Sequence, residues 1–448
     1  MATKFVSFLG TGKYTVTKYR TWRQGDTAVA RESKFVQCAI AALYPHEKLD
    51  QIVLLFTEES KTKHHQKLRE GLRDLGVADE KMREIEISSD ITQLNAAWEW
   101  FERLQDLFVP GDTLVLDVTH GFRIVPIVFS AAVAYLRRVK QVRVDAVLYG
   151  AYDDTYEAAN YPIVDVKDFY TISDWTEGVA RLVDTADSGF LRQVAESETA
   201  GSFVGLNDTT LLNAIEELTQ SFRNVELQQI EDKTRKALKL VAQHSEKASV
   251  MEGKVLAMIE DKFGELIAYP STNGAYSEAY LRLQVRLIQL LAEHGLYMQS
   301  FTAIVEWVGS LGCYLANIAT GGPTDGREGR MTDDEARRYA DVFKSMLEFP
   351  QRKWRFLGNK AKRKEEMLSA YDRLMQLPFP EGGKETEWEG LWCQFIGKVG
   401  AIRNGFNHGW TGQHRQGVPA DVRTVHDEAM RLMSHILDSL AAGEGRGA

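Results

Sequence analysis

Short apolar runs alternate with amphipathic segments over residues 1–172. Runs rich in Val, Ile, Leu and Phe predict buried strands at 4–9, 51–56, 83–87, 113–117, 142–149 and 161–166. Apolar residues at helical spacing predict intervening helices at 31–43, 61–75, 91–107 and 124–138. Strands that alternate with helices are typical of βαβ units. We therefore expect an α/β, Rossmann-like N-terminal domain with a largely parallel sheet.

Beyond Trp175 the apolar residues follow helical spacing. The predicted helices are 176–184, 190–195, 209–244, 254–263, 277–294, a buried helix that follows the turn at Gly295, 387–404 and 420–440. This pattern divides the chain into the α/β domain at 1–172, a helical linker at 173–205 and an all-α C-terminal domain at 206–448.

The composition is that of a globular protein rather than a nucleic-acid coat. The 448 residues are 44% hydrophobic and 26% charged, which fits two or three domains with large cores. The formal net charge is −9, so any contact with RNA must be local. The sequence lacks an apolar run of membrane-spanning length, and its N-terminus does not resemble a signal peptide. We therefore expect a cytoplasmic protein with no membrane partner.

The cysteines and histidines give no disulfide or metal pattern. Cys38, Cys313 and Cys393 are far apart in the sequence, which fits a reducing compartment. His64 and His65 are adjacent but have no obvious third partner. The sequence therefore predicts chemistry without a metal cofactor.

The first predicted strand ends in a polar, glycine-containing loop. This loop consists of Gly10, Thr11, Gly12, Lys13 and Tyr14. Open parallel sheets bind ligands beyond the carboxyl ends of their strands. The glycines allow a close backbone approach, while Lys13 offers a charge and Tyr14 a ring. An ordinary tight turn is the alternative interpretation.

A second polar loop follows the strand at 113–117. Thr119, His120 and Gly121 open the predicted helix, whose first N–H groups point at any bound anion. Arg123 lies one turn further along. The alternative for His120 is a helix-start residue whose ring bonds the backbone. Two such loops at one edge of the sheet predict a nucleotide site.

The first loop does not match the dinucleotide-binding fingerprint. Gly10 and Gly12 are followed by Thr15 where that fingerprint has a third Gly or Ala. The acidic residue expected about 20 positions further on is also missing at the end of a second strand. Both features argue against an NAD-dependent oxidoreductase.

An Arg and a His lie five positions apart late in the helical half. Arg403 and His408 flank Asn404, Gly405 and Asn407. A guanidinium and an imidazole around one phosphodiester can cleave RNA without a metal, because one group stabilises charge and the other moves protons. We expect Gly405 to end the helix, so that Arg403 and His408 converge beyond it. A capped helix end with a solvated His is the alternative.

The segment 351–364 mixes basic and aromatic residues. Its members are Arg352, Lys353, Trp354, Arg355, Phe356, Lys360, Lys362, Arg363 and Lys364. Such a mixture suits a track for single-stranded RNA. A solvated helix face explains it as well, and is the interpretation that we favour.

The loops and the Arg–His motif together resemble two known families. The strand that ends in Gly-Thr-Gly-x-Tyr at 10–14, with Asp-x-Thr-His-Gly-Phe-Arg at 117–123, resembles the CARF domain of CRISPR-associated proteins. The segment that begins at 173–175 is similar to the linker of the same family. Arg403-Asn404-x-x-x-His408 resembles the catalytic motif of HEPN ribonucleases, and 290–306 is similar to their helical half.

The resemblance implies a type III CRISPR effector with a CARF sensor and a HEPN nuclease. Its activator would be cyclic oligoadenylate, with cyclic tetra-adenylate favoured and six adenylates as runner-up. Its substrate would be single-stranded RNA, cut without a metal to leave a 2′,3′-cyclic phosphate and a 5′-hydroxyl. His408 would transfer protons, Arg403 would stabilise charge, and Asn404 would orient them.

The resemblance also implies a homodimer or higher oligomer, with both sites on its two-fold axis. The alternative function is a Rossmann-type nucleotide-binding regulator or interaction module, whose helical half only dimerises or binds a partner. RNA cleavage with and without the cyclic ligand, in EDTA, distinguishes the two.

Overall fold

The structure is a computed structural model. It describes residues 1–22, 30–44, 48–88, 94–120, 125–151, 161–197, 203–268, 276–318, 333–354, 364–380, 387–410 and 419–444. The chain forms two compact units, Met1–Ser173 and Asp174–Ala448.

The described part of the first unit contains one eight-stranded sheet. Its strands are β1 Thr3–Leu9, β2 Thr17–Arg20, β3 Ala30–Ser33, β4 Gln51–Phe56, β5 Met82–Glu86, β6 Thr113–Asp117, β7 Arg143–Gly150 and β8 Tyr161–Asp165. Their order is β3-β2-β8-β7-β6-β1-β4-β5. The five strands from β7 to β5 are mutually parallel. β8 runs antiparallel to β7, and β3 antiparallel to β2.

Helices cover both faces of this sheet. They are α1 Val36–Leu43, α2 Glu58–Ser60, α3 Gln66–Asp74, α4 Leu94–Gln105 and α5 Val125–Val139. Alternate side chains of a strand point to opposite faces. Accordingly, Phe5 joins a core with α1 and α3, whereas Val6 joins a second core with α4 and α5. The predicted α/β, Rossmann-like fold is confirmed.

The edge beyond β8 differs from the prediction. Residues predicted as the start of a helix at 31–43 form strand β3, and the helix begins only at Val36. Ser33 Oγ accepts a hydrogen bond from Phe35 N at 3.2 Å, which helps to turn the chain between the two elements. β2 and β3 have four residues each, too few for a clear apolar alternation.

The described regular structure of the second unit is helical, as predicted. Helix α6 Asp168–Thr185 leads into it, followed by α7 Gly189–Ser197, α8 Thr209–Asn224, α9 Ile230–Ser245, α10 Val250–Phe263, α11 Glu278–Glu293, α12 Tyr297–Leu315, α13 Asp333–Glu348, α14 Lys364–Met375, α15 Trp388–Asn407 and α16 Pro419–Glu444. The central helix is α12, which packs against α11, α13, α14 and α15. None of the described helices is both long enough and apolar enough to cross a membrane.

The predicted helix 209–244 is wrong, because the chain reverses within it. α8 ends at Asn224, and its cap residue Val225 adopts a left-handed backbone with φ 55°. Glu226 N then donates to Ser221 O at 3.0 Å, and α9 packs back on α8. β-branched residues rarely take this conformation, and no Gly marks the turn. The apolar spacing simply continues through it.

Candidate functional site

Three neighbouring strands of the first unit end at one cluster of rings. The loop after β1 carries Tyr14, the loop after β6 carries His120, and the segment after β4 carries His64. The Tyr14 ring centroid lies 5.0 Å from that of His120 and 4.8 Å from that of His64, both in edge-to-face geometry. Phe35 packs on the same tyrosine at 4.9 Å. The structure thus brings together the two predicted loops and adds a third element.

Tyr14 closes its own loop. Its hydroxyl accepts a hydrogen bond from the Gly10 amide at 2.8 Å. Burial raises the pKa of Tyr14, so the phenol stays protonated. The ring that Tyr14 was expected to offer to a ligand is therefore already packed, and the Gly10 amide already has an acceptor.

The two glycines of this loop have different surroundings. A Cβ on Gly10 would lie 3.2 Å from Tyr14 Oη and 3.4 Å from His120 Cβ, so close packing favours glycine there. A Cβ on Gly12 would meet nothing within 4 Å. Thr11 is half-buried, while Lys13 is exposed. Lys13 is thus the accessible charge of the loop.

A buried carboxylate fixes the loop after β6. Asp117 is fully buried, and its Oδ1 accepts from Thr119 N at 2.9 Å and from Thr119 Oγ1 at 2.5 Å. Its Oδ2 accepts from Ser7 Oγ at 2.6 Å, and Thr119 Oγ1 accepts from Gly150 N at 2.8 Å. Burial raises the pKa of Asp117 although these bonds oppose the shift. Asp117 therefore positions Thr119, the residue that precedes His120 in the loop.

His120 is half-buried beside this network. Burial lowers the pKa of its imidazole, and the nearby Asp117 carboxyl only partly offsets that effect. Gly121 and Arg123 lie outside the described residues, and α5 is described from Val125. The role predicted for the start of this helix stays a prediction.

The sequence analysis did not assign His64 to this site. It lies in a π-helical turn, Lys61–His65, between α2 and α3. Its Nε2 is buried and has no hydrogen-bond partner among the described residues. His65 lies elsewhere, with Nε2 2.9 Å from Glu84 Oε1. The position of His64 after a strand that neighbours β1 was the available signal.

In the second unit, α15 carries the Arg–His motif. The helix is held by a buried apolar face that includes Trp392, Val399 and Ile402. Arg403 is half-buried, and its Nε has no hydrogen-bond partner within the described chain. Asn404 and His408 are exposed. Two of the three predicted catalytic side chains are thus accessible to a substrate.

The predicted helix stop at Gly405 is wrong. α15 continues to Asn407, and His408 caps it by donating its N–H to Asn404 O at 2.9 Å. The left-handed residue after the cap is Gly409, with φ +60°. Its N–H reaches Phe406 O at 3.5 Å, which is part of a Schellman ending.

Close packing, and not a helix end, explains the glycine at position 405. A Cβ on it would lie 2.5 Å from Trp410 Cζ3. Trp410 N donates to Gly405 O at 2.8 Å, so the chain folds back over the last turn of the helix. Gly405 thus accommodates an aromatic ring instead of ending the helix.

This geometry removes the basis for convergence within one chain. Arg403 lies inside the helix, and His408 is five residues further along. Five helical residues correspond to about 140° around the axis and about 7.5 Å along it. The two side chains therefore leave the helix in different directions.

The basic segment is described only in part. Arg352 and Lys353 are exposed in a short turn, and Lys364 begins α14. Trp354 Nε1 donates to Phe349 O at 2.7 Å, and its ring packs against Tyr371. The stacking role considered for Trp354 is thus restricted. The other members, Arg355, Phe356, Lys360, Lys362 and Arg363, lie outside the described residues.

Within the described ranges, no group of three or more His, Cys, Asp or Glu side chains is placed to hold a metal ion.

Comparisons with known proteins define the class of the first unit. Residues 4–153 match the family model for the CARF domain of CRISPR system endoribonuclease Csx1. A stretch of 104 residues is 29% identical to CRISPR-associated protein MJ1674 of Methanocaldococcus jannaschii, and it covers 22% of this chain but 16% of that protein. The structure of Enterococcus italicus Csm6 bound to cyclic hexa-2′-fluoro-hexa-dAMP aligns at 14% identity and TM-score 0.34, over 99% of this chain and 95% of that chain.

The first unit is therefore a CARF domain, because the match runs from within β1 to just beyond β7. The chain therefore contains a CARF domain, and the matched stretch spans only 16% of the CRISPR-associated relative.

Proposed function

We propose that this chain is an RNA endonuclease that cyclic oligoadenylate switches on. The first unit binds the cyclic ligand, and the second cleaves single-stranded RNA without a metal. The observation that carries the proposal is the ring cluster of the CARF domain, where Tyr14, His64 and His120 meet beyond three parallel strands.

The ring cluster suits a ligand made of repeated nucleotides. Ligands of open α/β sheets bind at this edge. Lys13 provides an exposed cation, and the imidazoles can donate hydrogen bonds to phosphate oxygens. Two copies of the cluster across a dimer would present the same groups twice, which matches a ring of identical units. Cyclic tetra-adenylate is the favoured ring, with the hexa-adenylate as runner-up.

The end of α15 supports the proposed cleavage. His408 is exposed and can reach a bound phosphodiester, where it moves protons. Arg403 stabilises charge on the phosphoryl oxygens, and Asn404 orients the substrate or its neighbours. Arg403 and His408 diverge within one helix, so a complete site needs groups from a second copy of the chain. A homodimer or higher oligomer supplies them.

A direct test uses the full chain and a labelled single-stranded RNA in EDTA. Rings of three, four and six adenylates are added separately, and the ends of the products are determined. We expect cleavage only with a ring, with 2′,3′-cyclic phosphate and 5′-hydroxyl ends. RNA cleavage that does not depend on any of the cyclic oligoadenylates, or that needs magnesium or manganese, would contradict the proposal.

A nuclease-free regulator is the second candidate. The helix geometry at 403–408 favours it, because positions five residues apart on α15 lie about 140° apart around the axis. In that case, calorimetry would show ring binding while the RNA stays intact at every ring concentration. The same titration thus separates the two candidates.

A further inference from the structure

His64 occupies the third corner of the CARF ring cluster. β4 pairs in parallel with β1, and β6 pairs with the other side of β1. Their carboxyl ends therefore lie side by side, with the loop of Tyr14 in the middle. His64 reaches this edge from the β4 side, and His120 reaches it from the β6 side.

The backbone around His64 is irregular in a specific way. α2 begins with a capping box in which Thr57 and Ser60 bond each other's backbone amides. The helix then widens into the π-turn Lys61–His65 before α3 continues it. A π-turn inserts one residue into a helix and occurs often at functional sites. Here it places one histidine, His64, against Tyr14 and the next, His65, against Glu84.

The imidazole of His64 has an unused hydrogen-bonding atom. Its Nε2 is buried without a partner among the described residues, although buried polar atoms are normally paired. The neighbouring Gly10 amide, by contrast, already donates to Tyr14. His64 Nε2 is therefore a polar atom of this cluster that is both sheltered from water and available.

We propose that His64 donates a hydrogen bond from Nε2 to a phosphodiester oxygen of the bound cyclic oligoadenylate. This inference rests on the function proposed for the first unit. A phosphate oxygen only accepts, and an imidazole protonated at Nε2 can donate to it. The unfavourable burial of an unpaired nitrogen in the free protein is then relieved by the ligand. His64 is thus a binding residue of the sensor.

Two substitutions separate hydrogen bonding from packing. His64→Phe keeps an aromatic edge against Tyr14 but removes both ring nitrogens. His64→Gln places an amide donor near the former Nε2. His65→Gln is the matched control, because it alters the adjacent histidine of the same π-turn, which faces Glu84.

Binding of fluorescently labelled cyclic tetra-adenylate and hexa-adenylate to the full chain is the readout, with thermal unfolding to verify folding. We expect His64→Phe to weaken binding about tenfold, and His64→Gln and His65→Gln to stay within about threefold of wild type. Unchanged binding by His64→Phe, or equal losses in both His64 variants, would show a packing role and overturn the inference. If the wild type binds neither ring, the proposed function itself fails.

Discussion

The sheet edge of the CARF domain and the end of α15 are built in opposite ways. At the sheet edge, two loops and a π-turn bring the rings of His64 and His120 against Tyr14, and the buried Asp117 holds one of the loops in place. At the end of α15, Arg403 lies within the last turns and His408 caps the helix, so helix geometry places the two residues on different sides of its axis. The ring cluster is preorganised within one chain, whereas the proposed nuclease site at the end of α15 depends on groups from a second copy of the chain.

Removing either member of the α15 pair is expected to have the largest effect. Arg403→Ala and His408→Ala should each reduce ring-activated RNA cleavage about 10²–10⁴-fold, because charge stabilisation or proton transfer is lost. Ring binding should not change. Single-turnover cleavage of labelled RNA measures the first effect, and calorimetry the second.

Arg235→Ala and His244→Ala are suitable controls. Arg235 is an exposed residue of α9 that forms an ion pair with Glu231, and His244 is on the same helix. Both variants should cleave like wild type. Wild-type cleavage by Arg403→Ala or His408→Ala would show that the end of α15 is not a nuclease site and would leave the regulator as the better candidate.

Substitutions at the sheet edge should change the ring concentration that is needed for activation, and not the maximal rate of RNA cleavage. His120→Ala removes the imidazole ring that packs on Tyr14. We expect the half-activation concentration of cyclic tetra-adenylate to rise about tenfold, while cleavage at saturation is unchanged, because a ligand shifts an equilibrium only through its affinity for each state. A titration of cleavage against ring concentration measures both quantities. An unchanged midpoint would show that this edge is not the sensor.

Gly405→Ala tests whether the Trp410 fold-back shapes the end of α15. The added Cβ would meet the Trp410 ring at 2.5 Å, so the fold-back must shift. We expect a loss of about 1–3 kcal/mol in the free energy of unfolding, with a lower cleavage rate and normal ring binding. Gly397→Ala on the same helix is the control, because its Cβ would meet nothing within 4 Å. Equal stability of the two variants would mean that Trp410 accommodates the methyl group.

These two regions also differ in how far the sequence predicts them. Apolar runs located the parallel strands, and the rule for their carboxyl ends then located the loops of Tyr14 and His120. The sequence did not place His64 in the ring cluster, because a π-turn does not change the spacing of apolar residues in a way that can be recognised. Gly405 was misread because a glycine that admits a ring looks the same in sequence as one that ends a helix. The turn at Val225 was not predicted, because it contains neither Gly nor Pro.

The smallest expected effect has the opposite sign to the others at the sheet edge. Tyr14→Phe keeps the ring against Phe35, His64 and His120. It removes the hydroxyl that accepts the hydrogen bond of the Gly10 amide in the wild type, so this amide becomes free. A typical hydrogen bond contributes about 0.5–1.5 kcal/mol. A ligand phosphate no longer has to compete with that hydroxyl for the amide.

We therefore expect Tyr14→Phe to lower the half-activation concentration of the ring about threefold, at a small cost in stability. Tyr44→Phe is the matched control, because Tyr44 also loses one hydrogen bond, to Asp145 at 3.0 Å, but follows α1 away from the ring cluster. Cleavage titrations with both variants provide the measurement. A midpoint that rises instead would mean that Tyr14 holds its loop in the conformation that binds the ligand. The closed loop would then be part of the preorganised site rather than a contact that the ligand must displace.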